Sequence, residues 1–185
     1  MSLDTYLYLK EPEHFSVSAC EAYLDAWGFH GHFDPDFDPL CFEGALPFVG
    51  TADLPGDGVS YRVAFEYYLD PYVFEPEPPR KPTLWERLLG RRQPDPDPSV
   101  DPYPGATHVM LLSCSYHDSL SPLLAYGLAA YAMEACDGVL YDPQDGKTYR
   151  TVGDIREIYA ATLAYLLRRQ EAGQLCLHRE DDETS

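Results

Sequence analysis

The feature that most constrains the fold is a helix without a polar side. From Leu123 to Ala135 the chain is apolar on every side apart from Glu134, so a helix here must be buried almost all round. Ser121-Pro122 predicts where it begins, because serine caps free N–H groups and the fixed φ of proline suits the first helical position. Gly138 predicts where it ends, since glycine tolerates positive φ. The rest of the chain must therefore cover this helix on all sides.

Strands are predicted on both sides of this helix. The apolar run from Thr107 to Cys114 is short enough to be a buried strand. After the helix, Val139–Tyr141 and Lys147–Arg150 form a predicted hairpin, because the proline and glycine of the loop between them suit a tight turn. Thr151 caps a final helix, whose apolar face carries Ile155, Ile158, Tyr159, Thr162, Tyr165 and Leu166. We expect that face to pack on the sheet.

The first half of the chain supplies a strand, a helix and a second strand. Residues Asp4–Lys10 alternate, with Leu3, Leu7 and Leu9 assigned to one face and Thr5, Tyr6 and Tyr8 to the other. A capping box at Ser18–Glu21 predicts a helix that ends at Gly28. Ser60–Leu69 is a clear strand and Phe42–Val49 a weaker one, whereas His30–Pro39 is expected to be an irregular acidic loop.

Two successive strand–helix–strand units predict the fold class. We expect an α+β fold, a ferredoxin-like split βαβ sandwich with an added C-terminal hairpin and helix, in a single domain over residues 1–185. Residues 71–104 hold ten prolines and are predicted to be an insertion between paired strands. Within it, a capping box at Thr83 predicts a short helix around Trp85.

Composition excludes several classes of partner. The formal charge of −18 argues against nucleic acid and against an anionic membrane surface, because both are polyanions. The sequence shows neither a secretory signal nor a membrane span, and its five cysteines are scattered among apolar neighbours. These features predict a cytoplasmic protein with reduced core cysteines. We predict no cofactor.

Three groups of residues could carry chemistry. His30, His32 and the aspartates up to Asp38 are competent metal ligands, which makes a metal-dependent hydrolase the competing functional class. An EF-hand counted from Asp34 would need glycine and glutamate where Pro39 and Ala45 stand, so no calcium loop of that kind is predicted. For this loop an acidic surface without metal is the preferred interpretation.

The other two groups are a possible nucleophile and a phosphate-loop fragment. Cys114, with His117 and Asp118, follows a buried strand, and a cysteine nucleophile needs a base within hydrogen-bond reach. We expect Cys114 to pack in the core instead. Gly146-Lys147-Thr148 lacks the first glycine of a phosphate-binding loop and precedes no immediate helix, so a hairpin turn is predicted.

Four tyrosines could form an aromatic interaction surface on the sheet. They are Tyr6, Tyr8, Tyr67 and Tyr68. Aromatic side chains are enriched at protein interfaces, but we expect helices to cover these four.

One stretch resembles a known family. The alanine-rich helix that runs from Ala129 into Gly138-Val-Leu-Tyr-Asp-Pro-Gln-Asp-Gly146 is similar to a pattern in small bacterial immunity proteins of polymorphic or type VI-delivered toxins. The resemblance implies a cytoplasmic, non-catalytic protein that binds one cognate toxin and blocks its active site.

The acidic composition suggests how such a toxin would be bound. Toxins that attack nucleic acid have basic clefts, and an acidic inhibitor associates with them fast through electrostatic steering. The predicted partner-binding residues are Asp34, Asp36, Asp38, Glu43, Asp142 and Asp145. A further alternative is an adaptor that docks through the Trp85 segment.

Overall fold

The structure, a computed structural model, describes residues 2–53, 59–76, 100–115 and 120–172. Its elements are β1 Ser2–Leu9, a 3₁₀ turn Pro12–His14, α1 Val17–Asp25, β2 Phe29–Phe33, β3 Gly44–Ala52, β4 Val59–Pro71, β5 His108–Ser115, α2 Ser121–Ala135, β6 Val139–Asp142, β7 Lys147–Tyr149 and α3 Val152–Glu171. The predicted helix around Trp85 lies outside the described residues.

The described strands form one sheet, and all of its pairings are antiparallel. Their order is β2-β3-β4-β5-β1-β6-β7. The prediction of an α+β fold with an antiparallel sheet is confirmed. Strands β4 and β5 pair directly, with Pro71 opposite His108, so the proline-rich stretch connects neighbouring strands. Since β4 runs to Pro71, the first residue assigned to the insertion still belongs to a strand.

Strand β2 corrects the prediction of an irregular loop over its residues. It pairs with β3 so that Gly31 faces Gly50, and the two backbones approach very closely. A Cβ added to Gly31 would lie 2.4 Å from the carbonyl oxygen of Val49, and one added to Gly50 would lie 2.2 Å from that of His30. Only glycine fits at both positions. Glycine lowers the tendency of a sequence to be predicted as a strand, yet here Gly31 and Gly50 are what allows β2 and β3 to pair.

Helix α2 is buried as its composition requires. It lies against β1, β4, β5 and β6 on one side, while α1 and α3 pack on its other sides. All residues from Ser121 to Met133 are buried. Helix α3 was expected on the sheet but packs mainly on α2, because the sheet surface beneath it is already occupied by α2. Ile155 and Leu166 are buried there, whereas Tyr165 is 47% exposed.

The ends of α2 differ from the prediction in detail. Pro122 lies in the first turn as expected, but the N-cap residue Leu120 gives no side-chain cap. At the other end the residue with positive φ is Asp137, and the N–H of Gly138 donates to the carbonyl oxygen of Met133 at 3.0 Å, as in a Schellman motif. Gly138 is required for another reason, because a Cβ there would lie 2.7 Å from Cδ2 of Leu9.

The other two helix starts give one correction and one confirmation. Helix α1 is capped by Ser16, whose Oγ accepts from the N–H of Ala19 at 3.4 Å, so the predicted capping box at Ser18–Glu21 is wrong. The carboxylate of Glu21 instead accepts from the N–H of Phe33 at 2.9 Å. For α3 the predicted cap is present, since Thr151 Oγ1 accepts from the N–H of Asp154 at 3.2 Å.

Strand β1 places Thr5 on the buried face and not on the face assigned to it. Its neighbours Leu3, Leu7 and Leu9 are buried as predicted, and strict alternation puts Thr5 among them. The hydroxyl of Thr5 donates to the carbonyl oxygen of Leu112 at 3.3 Å, which satisfies a polar group that is 1% exposed. Hydrogen bonding thus allows a threonine in this leucine-lined core.

Candidate functional site

The loop between β2 and β3, residues 34–43, presents carboxylates to solvent. Asp34, Asp36, Asp38 and Glu43 are all exposed. Two of them also fold the loop, because Oδ1 of Asp34 accepts from the N–H of Asp36 at 2.9 Å and Oδ1 of Asp38 accepts from the N–H of Leu40 at 3.0 Å. Each is a turn in which an aspartate bonds to the backbone two residues on. We call residues 34–43 the acidic loop.

Inward-facing residues hold the acidic loop on the core. The ring of Phe37 is buried and lies 5.3 Å from the rings of Phe33 and Tyr67. The hydroxyl of Tyr67 donates to the carbonyl oxygen of Pro39 at 2.6 Å. Burial raises the pKa of Tyr67 well above its usual range, so this hydroxyl remains a donor at all ordinary pH values. The carboxylates therefore project from a backbone fixed at two buried points.

An exposed apolar residue lies among these carboxylates. Leu40 is 47% exposed, and the neighbouring Cys41 is also exposed. Cys41 thus departs from the prediction of core cysteines, whereas Cys20, Cys114 and Cys136 are buried as predicted; Cys176 lies outside the described residues. An apolar side chain surrounded by carboxylates can contact a protein surface whose own apolar centre has a basic rim.

Asp142 and Asp145 hold the β6–β7 turn. Asp142 is 7% exposed and accepts from the N–H of Gln144 at 2.8 Å; burial raises the pKa of its carboxyl group. Asp145 accepts from the hydroxyl of Tyr149 and forms an ion pair with Lys147 at 3.1 Å. Partial desolvation acts to raise the pKa of Asp145, but these hydrogen bonds outweigh it and the pKa is lowered.

The predicted partner-binding residues therefore form two separate groups. The acidic loop follows β2, and Asp142 and Asp145 belong to the turn that precedes β7, at the opposite edge of the sheet. Strands β4, β5 and β1 lie between the β2–β3 pair that carries the loop and the β6–β7 pair that carries the turn. The structure places Asp34, Asp36, Asp38 and Glu43 on one loop and Asp142 and Asp145 in a separate turn.

His30 is held between two carboxylates. Its Nδ1 lies 2.5 Å from Oδ1 of Asp25, and its Nε2 lies 2.9 Å from Oδ2 of Asp53. The pKa of His30 is raised, mainly by its hydrogen bond to Asp25 and next by its hydrogen bond to Asp53. These contacts tie the end of α1 to β2 and the end of β3. In the part of the chain that the structure describes, no three His, Cys, Asp or Glu side chains converge as metal ligands.

The two other candidates for chemistry have different outcomes. Cys114 is buried at the end of β5, as predicted, while His117 and Asp118 lie outside the described residues. Gly146 has a φ of 68°, and Lys147 begins the strand β7. The predicted hairpin is confirmed there.

One face of the sheet carries none of the described helices. Helices α1 and α2 pack on the face that holds Leu7, Tyr67 and Leu112, and α3 packs on α2. Tyr67 is covered as predicted, but Tyr6, Tyr8 and Tyr68 alternate onto the opposite face. Tyr8 is covered by the ring of Tyr103, stacked at 3.5 Å. Tyr6 and Tyr68 are half-buried, and none of the described helices covers them.

Several neighbours of these residues carry no signal in the sequence. Asp25 and Asp53 lie far from each other along the chain and come together at His30 only through the pairing of β2 with β3. Leu111 and Tyr141 were not connected with Tyr6, although strand alternation would have placed them on the same face once the pairing was known.

No described helix is long and apolar enough to cross a membrane.

Comparisons with known proteins were negative. No family model matches the chain, and no match was found among curated proteins or solved structures.

Proposed function

We propose that the protein is a cytoplasmic immunity protein that binds a cognate toxin of the polymorphic or type VI-delivered kind and blocks its active site, with no catalysis of its own. The observation that carries this proposal is the acidic loop, in which outward-facing carboxylates stand on two buried anchor points, Phe37 and Pro39. A fixed loop loses little conformational entropy when it binds, so the charges can act as a preorganised surface.

Charge supports a basic partner surface. The chain carries a formal charge of −18, and the acidic loop concentrates exposed carboxylates at one corner of the sheet. Complementary charge accelerates encounter and makes the association rate fall steeply with salt. Leu40, 47% exposed within the loop, supplies an apolar contact on the same loop. The target is a basic active-site cleft.

The proposal extends to the fold. The strands β4-β5-β1-β6 are consecutive in the sheet, and with α1 and α2 they support a ferredoxin-like split βαβ unit. On this interpretation β2 and β3 are added at one edge, and β7 and α3 follow at the other end of the chain. The acidic loop then belongs to the added edge, where changes in the amino-acid sequence disturb the central unit least.

The experiment begins with capture of the partner. Tagged protein is used to recover a toxin from native cells, and the recombinant toxin is then assayed for inhibition at equal stoichiometry. A triple variant, Asp34→Asn with Asp36→Asn and Asp38→Asn, should slow association about tenfold at low salt and flatten its salt dependence. The matched control removes three exposed carboxylates elsewhere, with Glu13→Gln, Glu157→Gln and Glu171→Gln, and should change the rate far less.

Three results would overturn the proposal in different ways. Equal slowing by both triple variants would mean that overall charge, and not the acidic loop, guides association. Stoichiometric zinc or manganese in untagged protein, with hydrolase activity, would support the metal-dependent hydrolase instead. Loss of partner binding on deletion of residues 80–98 alone would support the adaptor that docks through the Trp85 segment.

A further inference from the structure

Four side chains form a row across the sheet face that the described helices leave uncovered. Tyr68 on β4 lies opposite Leu111 on β5, Leu111 lies opposite Tyr6 on β1, and Tyr6 lies opposite Tyr141 on β6. All four are half-buried. With strands about 4.8 Å apart, the row spans roughly 14 Å. We call these four residues the tyrosine row.

The composition of the row is unusual for a sheet face that none of the described helices covers. The solvent side of an antiparallel sheet normally alternates to polar residues, whereas here three tyrosines and a leucine are in line. In the described parts of the chain no aromatic ring stacks on Tyr6, Tyr68 or Tyr141, although Tyr8 on the same face is covered by Tyr103. Large, stiff, amphipathic rings with solvent access are typical of protein-binding surfaces.

Carboxylates flank the row along its own strands. Glu66 and Asp70 lie two residues before and after Tyr68 on β4, and Asp4 lies two residues before Tyr6 on β1. Successive residues on one face of a strand are about 6.7 Å apart, so each carboxylate is next to a ring. From β4 to β6 the described positions of these two flanking rows include neither lysine nor arginine. Arg150, the residue after β7, lies near Tyr103, whose ring covers Tyr8 in the row of Asp70.

Arginine is the side chain that matches this arrangement. A guanidinium group stacks flat on an aromatic ring and at the same time donates hydrogen bonds in its plane to a carboxylate. A lysine ammonium is strongly hydrated and lacks the planar fork. A second copy of this chain does not match, because a formal charge of −18 on each copy would set acidic face against acidic face.

We propose that this sheet face binds an arginine-bearing protein segment, with guanidinium groups stacked on the tyrosine row and paired with Asp4, Glu66 and Asp70. The surface is separate from the acidic loop, and the inference holds whether or not the partner of that loop is a toxin. It adds a second binding surface whose specificity is for arginine and not for positive charge in general.

The first test asks whether the face is open in the full chain. Tyrosine ring signals are followed by NMR while a soluble gadolinium chelate is added. The rings of Tyr6, Tyr68 and Tyr141 should broaden, and the ring of the buried Tyr67 should not. If the row is as protected as Tyr67, another segment of the chain occupies this face, and the proposal is wrong.

The second test uses defined probes. The full chain is titrated with a synthetic peptide that alternates arginine with valine and with its lysine counterpart. The arginine peptide should shift the ring signals of the tyrosine row and bind about tenfold more tightly than the lysine peptide. Equal affinity of the two peptides would contradict the proposal, as would shifts confined to the acidic loop.

Variants separate the row from the general acidity of the chain. Asp4→Asn with Glu66→Gln and Asp70→Asn keeps the rings and should weaken the arginine peptide about tenfold. Glu13→Gln with Glu157→Gln and Glu171→Gln makes the same charge change at exposed positions outside both surfaces and should weaken it less than about threefold. Equal weakening would show non-specific binding and refute the proposal, while leaving the proposed function to its own test.

Discussion

The hydroxyl group of Tyr67 offers a way to loosen the acidic loop without changing its charge. It donates to the carbonyl oxygen of Pro39 at 2.6 Å, and both residues are buried. Tyr67→Phe removes the donor, keeps the ring against Phe37, and leaves a buried acceptor without its bond. The carboxylates of Asp34, Asp36 and Asp38 stay on the chain but lose one of the two points that fix their backbone.

The expected cost follows from the burial of that carbonyl. A buried polar group that loses its partner costs about 1–3 kcal/mol in the free energy of unfolding. For a chain of this size, each kcal/mol lowers the melting temperature by about 2–4 °C, so the shift should be roughly 2–12 °C. Chemical denaturation and a thermal melt measure these values, and hydrogen exchange of the 34–43 amides measures the loosening.

Tyr131→Phe is the matched control. The Tyr131 hydroxyl donates to the carbonyl oxygen of Ser16 at 3.1 Å and accepts from the N–H of the same residue. Removing it should destabilise the start of α1 by a similar amount while exchange in the acidic loop stays unchanged. If Tyr67→Phe were as stable as the wild-type chain, or if both variants loosened the loop equally, the assignment of Tyr67 as its anchor would be refuted.

Three further predictions concern the edge of the sheet and the last helix. Gly50→Ala places a Cβ 2.2 Å from the carbonyl oxygen of His30, so it should separate β2 from β3 and lower the free energy of unfolding by about 1–3 kcal/mol or more. In the control, Gly153→Ala, the Cβ would make an ordinary 3.5 Å contact, and the chain should not be destabilised. Chemical denaturation of both variants checks this. The pKa of His30 is raised in the folded chain, so the stabilisation by His30 is complete below its usual pKa of 6.5 and is lost as the pH rises through the pKa of the folded chain. The wild-type chain should therefore be more stable than His30→Gln at about pH 6. A stability difference that stays constant up to about pH 9 would contradict this. Thr151→Ala removes the α3 cap and should cost about 1 kcal/mol by denaturation, whereas no change would mean that Asp154 alone caps the helix.

The apolar helix and the alternating strands could be predicted because their patterns repeat over many residues. The all-round apolar character of α2 required burial, and α2 is covered by the sheet, α1 and α3. Strand β2 could not be predicted, because Gly31 is favourable there only opposite Gly50. Likewise, alternation separated Tyr67 from Tyr68, but which of the two faces the helices cover depends on tertiary packing.

The candidate site was predictable in part for the same reason. A run of aspartates between prolines indicated an exposed loop, and Asp34, Asp36 and Asp38 are exposed. That Asp142 lies at the opposite edge depends on the strand order, which neither charge nor spacing along the chain reveals. The glycine rule for helix ends failed at Gly138, because Asp137 takes the positive φ and contact with Leu9 excludes any Cβ at 138.

The hydrogen bond from the N–H of Phe33 to Glu21 has a consequence for aggregation. β2 is an edge strand, and unpaired N–H groups on such strands can recruit strands from other molecules and start fibrils. The carboxylate of Glu21 occupies the position that an incoming carbonyl group would take, and it adds a negative charge that repels another copy of an acidic chain. At the far edge, β7 is 3 residues long and offers little to pair with. Among the described strands, one edge of the sheet is thus protected at Phe33 by a side chain, and the other edge is a strand only 3 residues long.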